Sequence, residues 1–299
     1  MSLYKLVGIL CSASLIYAAP YGNAEKTLNR IKTIVVFGDS YSDTGNVFKL
    51  TNKTYPPPYY YDGHFSNGRM WPEYLQEITH WKVINYAYGG ATVNNKVIQG
   101  YTGPGNDIPV PSITDQIETH KNFLTSNPNE SNPSSTLYVI EPAGNDYFYG
   151  GLSILPQSVA MNIYKASQVL FEPPFSGEHF LYFNVALDHL PYYLDNSNVT
   201  VRNHARNDRI THNKVLNDLV RSNSRVKGKV FDLNRFLQKE LITPKYVDPE
   251  IPCIKDSSTP NGAPEICENP EKKVFWDLYH PTTTAHQMMA KAIINTIAH

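Results

Sequence analysis

The sequence predicts a three-layer α/β/α domain built on a doubly wound, five-stranded parallel sheet. First, five short runs rich in β-branched and aromatic residues are separated by longer segments that carry apolar residues at helical spacing. Second, these strand-like and helix-like runs alternate along the chain, as βαβ units do. Third, the chain shows no repeat, no low-complexity linker and no shift of composition, which indicates one domain.

The predicted elements can be placed along the chain. The strands are Thr33–Phe37, Val83–Ala87, Thr136–Glu141, Phe180–Val185 and Lys229–Leu233. The helices are Trp71–Ile78, Ile113–Leu124, Leu155–Leu170, Asn203–Val220 and Thr284–Ile297. Two segments rich in Pro and Gly, Lys49–Met70 and Gly100–Pro111, are predicted to be irregular. Both follow strands, so we expect both to lie over the carboxyl edge of the sheet, where open α/β folds bind ligands.

Residues 1–19 have the pattern of a secretory signal peptide. Lys5 precedes the apolar run Leu6–Tyr17, and small residues follow it. The run is shorter than the about 18–20 residues of a membrane span, so we expect no stable membrane insertion; a retained anchor helix is the alternative. Cleavage fits several positions between residues 18 and 24. The expectation is a secreted, extracellular protein with a single domain over residues 20–299.

The cysteines and three sequons agree with secretion. Cys11 lies in the predicted signal, so Cys253 and Cys267 remain, and two thiols in an oxidising compartment can pair in one way only. Two separate buried thiols are the alternative. The candidate glycosylation sites are Asn52, Asn129 and Asn198. Sequons also arise by chance, so these three corroborate secretion without establishing it.

Charge and motifs give no sign of a nucleic-acid partner, a cofactor or a metal. The chain has 26 Lys and Arg against 27 Asp and Glu, a net charge of −1, which is not the footprint of a nucleic-acid-binding protein. The GPGND stretch within Gly100–Pro111 lacks the Lys-Ser/Thr pair and the strand-to-helix context of a phosphate loop. The histidines lack H-E-x-x-H spacing, and there is no Cys/His cluster.

A serine follows the first predicted strand directly. The β-branched run stops at Gly38, and Asp39 and Ser40 come next. A buried parallel strand brings a nucleophile to the carboxyl edge of a sheet in this way. Gly, Asp and Ser are also common turn formers, so the tripeptide alone favours a simple turn. Its interpretation depends on whether the chain supplies a base, an orienting acid and oxyanion donors.

The segment Trp276–Pro281 offers the base and the acid. Asp277 and His280 are three residues apart in a turn that ends at a proline. The carboxylate can then accept the imidazole Nδ1–H and support the imidazolium that forms when Nε2 takes a proton from a serine. The alternative is a surface turn that opens the last helix. Together with Ser40, the order Ser, Asp, His forms a complete relay.

Two other strand ends offer oxyanion donors. NYAYGGAT (Asn85–Thr92) contains paired glycines, at which a backbone N–H can approach a ligand without a side chain in the way. AGND, at residues 143–146, offers the amide of Asn145. Each segment alone is compatible with a turn. Asp39, Asp43 and Asp146 are interpreted as turn-fixing acids, and Asp146 is a candidate to orient Asn145.

Together the segments FGDSYSDTGN, NYAYGGAT, IEPAGNDY and DLYHP resemble the four sequence blocks of the GDSL or SGNH hydrolase superfamily, in order and at similar spacing. The resemblance runs from about Thr33 to the end. Within the superfamily the chain is most similar to fungal secreted acyl and acetyl esterases, grouped with carbohydrate esterases, and to plant GDSL lipases. The resemblance implies the flavodoxin-like SGNH hydrolase fold.

The resemblance also implies roles for individual residues. The implied nucleophile is Ser40, the base is His280, the acid is Asp277, and the oxyanion donors are the N–H groups of Ser40 and Gly90 with the Asn145 amide. Two positions depart from the family pattern. Tyr41 stands where the family has its name-giving Leu, and Gly144 directly precedes Asn145 without the usual intervening residue. Because Gly89 and Gly90 are adjacent, Gly89 is the alternative to Gly90 as the backbone donor.

The implied function is that of a secreted serine carboxylester hydrolase, an acyl or acetyl esterase acting through an acyl-enzyme on a small-molecule or polysaccharide-linked ester. A long apolar lid segment is not evident, which favours an esterase over the alternative, a lipase or phospholipase on long-chain acyl esters. Tyr55–Phe65, Tyr192 and Tyr193 offer flat faces for sugars or an apolar slot for an acyl chain, or simply make a loop rigid. The alternative of another class is a non-catalytic carbohydrate-binding protein on this fold.

Overall fold

A five-stranded parallel sheet forms the centre of the fold in the computed structural model, which describes residues 28–142, 144–255 and 264–299. The strands are β1 (Thr33–Gly38), β2 (Lys82–Asn85), β3 (Thr136–Glu141), β4 (His179–Phe183) and β5 (Lys227–Phe231). Their order across the sheet is β2-β1-β3-β4-β5, and all neighbours are parallel. This is the 2-1-3-4-5 order of the flavodoxin-like doubly wound fold. The predicted fold class is therefore confirmed.

Helices cover both faces of the sheet. They are α1 (Asn46–Leu50), α2 (Trp71–Thr79), α3 (Ile113–Ser126), α4 (Asn145–Gly150), α5 (Pro156–Gln168), α6 (Pro191–Leu194), α7 (Val199–Ser222), α8 (Leu233–Leu241) and α9 (Thr283–Ala298). One hydrophobic layer joins the sheet to α2, α8 and α9, and the other joins it to α3, α5 and α7. The five predicted helices are all present, whereas the short helices and α8 were not predicted.

The first strand shows why the two layers exist. Ile34 and Val36 pack in the layer of α2, α8 and α9, while Val35 and Phe37 pack in the opposite layer. All four side chains are at most 1% exposed. A strand that is buried on both faces needs apolar residues in succession rather than in alternation. This is the pattern that the sequence analysis read as a buried parallel strand.

The two irregular segments differ from each other. Lys49–Met70 is irregular apart from the end of α1, as predicted. Gly100–Pro111 instead contains a short antiparallel ribbon, in which Tyr101–Thr102 pairs with Ile108–Pro109. Two-residue strands are too short to give a period in the sequence, so the prediction of an irregular segment was wrong here.

Cys253 and Cys267 form a disulfide, as predicted. The segment that begins at Cys253 pairs with the chain that leads to the C-terminal turn. The N–H of Cys253 donates to the Phe275 carbonyl at 3.0 Å, and the N–H of Ile254 donates to the Trp276 carbonyl at 2.7 Å. Cys253 and Ile254 are buried against Trp276. The disulfide therefore braces the chain immediately before Asp277.

The predicted signal peptide lies outside the described residues, so its presence and the domain limits remain predictions. None of the helices in the described ranges is both long and apolar enough to cross a bilayer. Residue 143, the first of the AGND segment, is also outside the described part of the chain.

Replacing both Cys253 and Cys267 by serine is expected to lower the free energy of unfolding by about 3 kcal/mol, because a crosslink restricts the unfolded chain. Urea unfolding of the two proteins measures the difference. As a control, reductant is expected to lower the midpoint of the wild type and to leave the double variant unchanged. Equal wild-type midpoints with and without reductant would show that the crosslink does not contribute.

Candidate active site

Three polar side chains meet at the carboxyl edge of the sheet. Ser40 lies in the turn that follows β1, and Asp277 and His280 lie in the turn that precedes α9. The Ser40 Oγ is 2.9 Å from the His280 Nε2, and the His280 Nδ1 is 2.7 Å from the Asp277 Oδ2. These atoms form one continuous line of hydrogen bonds. Such a line can carry a proton from the hydroxyl to the imidazole while the carboxylate stabilises the resulting charge.

The Asp277 carboxylate is almost fully buried, with 4% of the residue exposed. Its Oδ1 accepts the backbone N–H groups of Tyr279 and His280, each at 2.7 Å, and its Oδ2 accepts the Tyr60 hydroxyl at 2.6 Å. Burial opposes the charge on this carboxyl, but the His280 imidazole and these hydrogen bonds outweigh it, so the pKa of Asp277 lies below its ordinary value. The acid is therefore held in its ionised form.

The turn that carries Ser40 is fixed by its neighbours. The Gln116 side chain exchanges two hydrogen bonds with the main chain of Gly38: its Oε1 accepts the N–H, and its Nε2 donates to the carbonyl, both at 2.9 Å. The Asp39 Oδ1 accepts the N–H of Tyr41 at 3.1 Å. Asp39 thus bonds the backbone beside the serine, as its turn-fixing interpretation requires.

A buried acid, Glu141, lies behind this turn and is not among the predicted site residues. The Glu141 Oε2 accepts the Ser42 hydroxyl at 2.7 Å and the Asp39 N–H at 3.4 Å. Burial, and secondly the charge of Asp39, raise the pKa of Glu141 well above its ordinary value. A charged residue type at the end of an otherwise apolar strand was the available signal for it.

The two adjacent glycines have different surroundings. The N–H of Gly89 donates to the Asp43 Oδ2 at 2.8 Å. Gly90 has φ +88°, and a Cβ on it would lie 1.8 Å from the Tyr101 carbonyl oxygen. Only glycine fits such a position. The other bonds of Asp43 fix the turn before α1, since its carboxylate accepts the N–H groups of Gly45, Asn46 and Val47.

Asn145, the first residue of α4, is held by the nucleophile turn. Its Nδ2 donates to the Asp39 Oδ2 and to the Ala91 carbonyl, both at 3.0 Å. The interpretation of Asp146 as the residue that orients Asn145 needs correction: its Oδ2 accepts the N–H of Val93 at 3.0 Å. Asp39 takes that place because β1 and β3 are neighbours in the sheet, and their register sets Gly38 opposite Glu141, so the turns after the two strands lie side by side.

A cavity of about 370 Å³ opens over these groups. Ser40, Gly90, Asn145, Asp277 and His280 all line it. The remaining wall is dominated by tyrosine rings, which are Tyr41, Tyr55, Tyr59, Tyr60, Tyr101, Tyr149, Tyr193 and Tyr279. Both predicted loop segments contribute to this wall, as expected from their position after strands. Tyr192 instead lines an adjacent cavity of about 180 Å³.

The three candidate glycosylation sites, Asn52, Asn129 and Asn198, are all exposed. Asn198 is also the N-cap of α7, where its side chain accepts the Thr200 N–H at 2.9 Å. Exposure is the condition that a surface modification requires. Whether these sequons carry glycans stays a prediction.

Comparison with known proteins identifies the family. The chain belongs to the GDSL-like lipase/acylhydrolase family, whose sequence model matches residues 34–293. This membership confirms the resemblance that the four blocks indicated.

Individual relatives are distant. The thermolabile hemolysin of Vibrio parahaemolyticus is 27% identical over 289 residues, which cover 90% of this chain and 64% of the hemolysin. The GDSL esterase/lipase At3g09930 of Arabidopsis thaliana is 26% identical, with 85% of this chain and 84% of that protein covered. A solved carbohydrate esterase family 2 enzyme with a carbohydrate-binding domain, from Corynascus thermopiles, is 14% identical with a TM-score of 0.48, over 89% of this chain and 65% of that chain. The chain thus spans less than two thirds of the hemolysin's length.

Replacing Asp146 by asparagine is expected to change how stability depends on pH. Burial raises the pKa of Asp146 from 3.8 to about 6, although the hydrogen bond from the Val93 N–H acts in the opposite direction. Between these pH values the folded chain holds a proton that the unfolded chain releases, so stability falls as pH rises, by up to about 1.4 kcal/mol per pH unit. Urea unfolding at a series of pH values should show that the free energy of unfolding of the asparagine variant falls less steeply with pH than that of the wild type.

The exposed Asp195→Asn is the matched control for this variant, because it removes a carboxylate at the surface. It is expected to follow the wild-type slope between about pH 4 and 6. An Asp146→Asn slope equal to that of the wild type would contradict the raised pKa.

Proposed function

We propose that this chain is a secreted serine carboxylester hydrolase, an acyl or acetyl esterase that works through an acyl-enzyme. The observation that carries the proposal is the continuous line of hydrogen bonds from the Ser40 hydroxyl through His280 to Asp277, at the floor of the tyrosine-lined cavity. Membership in the GDSL-like lipase/acylhydrolase family supports the ester as the bond that is cut.

In the proposed acylation step, the Ser40 oxygen attacks the ester carbonyl carbon while the His280 Nε2 takes the hydroxyl proton. Asp277 stabilises the imidazolium and keeps the ring in the tautomer whose Nε2 accepts that proton. When the tetrahedral intermediate collapses, the bond to the alcohol oxygen breaks and His280 returns the proton to that oxygen. The acyl group is then bound to Ser40 as an ester.

Deacylation repeats these events with water. His280 takes a proton from water, the hydroxide oxygen attacks the acyl carbon, and the bond to the Ser40 oxygen breaks as His280 returns the proton to it. The products are a carboxylic acid and an alcohol. No redox step is involved, and the atoms balance with one water consumed per ester.

The proposed oxyanion donors are the backbone N–H groups of Ser40 and Gly90 and the Asn145 amide. The bond from the Gly89 N–H to Asp43 supports Gly90 as the second backbone donor, because the neighbouring N–H is already engaged. Both amide hydrogens of Asn145 are bonded, to Asp39 and to Ala91. Donation to an oxyanion therefore requires one of these bonds to be shared or released.

Secretion is part of the proposal and is supported by the disulfide between Cys253 and Cys267, since such bonds persist in oxidising compartments. The N-terminal pattern of residues 1–19 and the exposed sequons point the same way. A single domain over residues 20–299 is proposed with it.

A lipase acting on long-chain acyl esters is the second candidate, and one observation favours it. Three apolar side chains between residues 148 and 155 are exposed, Phe148 by 42%, Leu152 by 58% and Leu155 by 56%, and Leu152 lines the adjacent cavity of about 180 Å³. Phe148 also lines the cavity itself. Exposed apolar side chains at the rim of a site suit an acyl chain or a lipid surface.

Ser40→Ala is expected to abolish ester hydrolysis, because it removes the attacking oxygen and leaves His280 and Asp277 in place. A fluorophosphonate probe should label the wild type at Ser40 and should not label the variant, and circular dichroism should show that both are folded. Near-normal hydrolysis by the purified variant would overturn the proposal. A folded wild type that the probe does not label would instead favour the non-catalytic binding protein.

Rates over p-nitrophenyl esters of increasing acyl length are expected to be highest for short chains. The reason is that the cavity of about 370 Å³ is at the small end of ligand pockets. The measurement is kcat/KM for each ester at matched, submicellar concentration. A maximum at long chains would reject the acyl or acetyl esterase and favour the lipase.

A further inference from the structure

Tyr60 contacts the acid of the site directly. Its hydroxyl donates to the Asp277 Oδ2 at 2.6 Å, and the same oxygen faces the His280 Nδ1 at 2.7 Å. Tyr60 comes from the irregular segment Lys49–Met70, far from the C-terminal turn in sequence. No family block contributes this residue, and the tyrosines of Tyr55–Phe65 were predicted only to form a substrate surface or a rigid loop.

We propose that Tyr60 is a positioning residue, the outermost group of the hydrogen-bond line, which fixes the Asp277 carboxylate and limits the charge that it presents to His280. This inference rests on the proposed function, because it assigns Tyr60 a part in the relay from Ser40. Tyr60 acts through Asp277 and not on the reacting atoms.

The orientation of the carboxylate depends on what each of its oxygens contacts. The Asp277 Oδ1 accepts two backbone N–H groups of its own turn. These two bonds fix the position of Oδ1, but they do not fix the rotation of the carboxylate about it. Oδ2 carries the bond to His280, and Tyr60 is the group that fixes it from the far side. A buried carboxylate oxygen that lost this donor would be left with an unsatisfied lone pair.

The Tyr60 ring is held in place before any substrate binds. It lies 5.1 Å from the Tyr59 ring, 6.5 Å from the Phe65 ring and 6.4 Å from the Trp276 ring, measured between centroids. Trp276 belongs in turn to the cluster around the Cys253–Cys267 disulfide, against which Tyr60 packs. The phenol is thus preorganised as a donor rather than recruited by the ligand.

The loop that carries Tyr60 is also fastened to the C-terminal turn. The Ser66 hydroxyl donates to the Pro281 carbonyl at 2.8 Å, and the Asn67 side chain accepts the Thr283 N–H at 2.8 Å. These bonds lie on the other side of His280 from Asp277 in the sequence. The loop therefore holds the turn at both ends.

The phenol remains a donor throughout the working pH range. Burial, followed by the charge of Asp277, raises the pKa of Tyr60 above its ordinary value. A phenol that donates to a carboxylate withdraws negative charge from it. The carboxylate then stabilises the imidazolium less, so loss of the hydroxyl is expected to make His280 more basic.

Other titratable groups around Asp277 and His280 do not produce this effect. The titratable side chains that interact with Asp277 or His280 are Tyr41, Tyr55, Tyr59, Tyr279 and His286, and Asp39 interacts with Tyr41. The tyrosines have raised pKa values, and burial lowers the pKa of His286 to about 3, so these side chains stay uncharged near neutral pH. Asp39 is present both in the wild type and in a Tyr60 variant, so it does not account for a difference between their pH profiles.

The test compares Tyr60→Phe with the wild type on p-nitrophenyl acetate. We expect kcat to fall about tenfold with KM little changed, since the ring is kept and one charge-assisted hydrogen bond is lost. We expect the acid limb of the kcat/KM profile to move up by about half a pH unit. The low-field proton resonance of the His280 Nδ1–H should move further downfield, because its acceptor carries more charge.

Tyr61→Phe is the matched control. It removes a hydroxyl from the adjacent residue of the same loop, which is 46% exposed and lies outside the lining of the cavity. Its kcat, KM and acid limb should equal those of the wild type. Equal behaviour of both variants, with only a lowered thermal midpoint for Tyr60→Phe, would mean that Tyr60 is merely structural and would overturn the inference.

A second substitution keeps the test decisive if Tyr60→Phe does not fold. Tyr60→3,5-difluorotyrosine retains the ring and makes the phenol a stronger donor, so the acid limb should move down in pH instead of up. A limb that stays in place would contradict the inference. Its failure is distinct from that of the proposed function, which is judged by Ser40→Ala and by labelling of Ser40 in the same preparations.

Discussion

The main chain at the end of β1 is the constraint on which the site depends. Gln116 from α3 holds both polar groups of Gly38, and a Cβ on Gly38 would lie 2.7 Å from the Glu141 Oε2 of β3. Residue 38 is therefore locked between a helix and a neighbouring strand. Ser40 is two residues further on, so these contacts of residue 38 also restrain the main chain that carries the serine.

Two aspartates extend this lock to the other strand ends. Asp43 joins the turn after β1 to Gly89, and Asp39 joins it to Asn145 at the start of α4. These two carboxylates link three loops that follow three different strands, and the bond from Asn145 to the Ala91 carbonyl joins two of these loops directly. Glu141 lies close to Asp39, and burial, followed by the charge of Asp39, raises the pKa of Glu141 well above its ordinary value.

The sequence was informative where the signal is local and poor where it is not. Strands and long helices have periods, and the Asp277–His280 pair is close in the chain, so both were predictable. Helix α8 was missed although Leu233, Phe236 and Leu237 have helical spacing, since the predicted strand Lys229–Leu233 ran into the first residue of the helix. The contact of Tyr60 with Asp277 joins residues 217 positions apart, and that of Ser42 with Glu141 joins residues 99 apart. No single-chain pattern encodes such pairs.

The separation of Ser40 and His280 by 240 residues has a consequence for biosynthesis. The ribosome makes the serine first, and the imidazole that contacts it follows only after all five strands of the sheet have been synthesised. A growing chain or an N-terminal fragment thus has an ordinary, unactivated hydroxyl at residue 40. The line of hydrogen bonds from Ser40 through His280 to Asp277 can therefore form only after residues 277–280 have been synthesised.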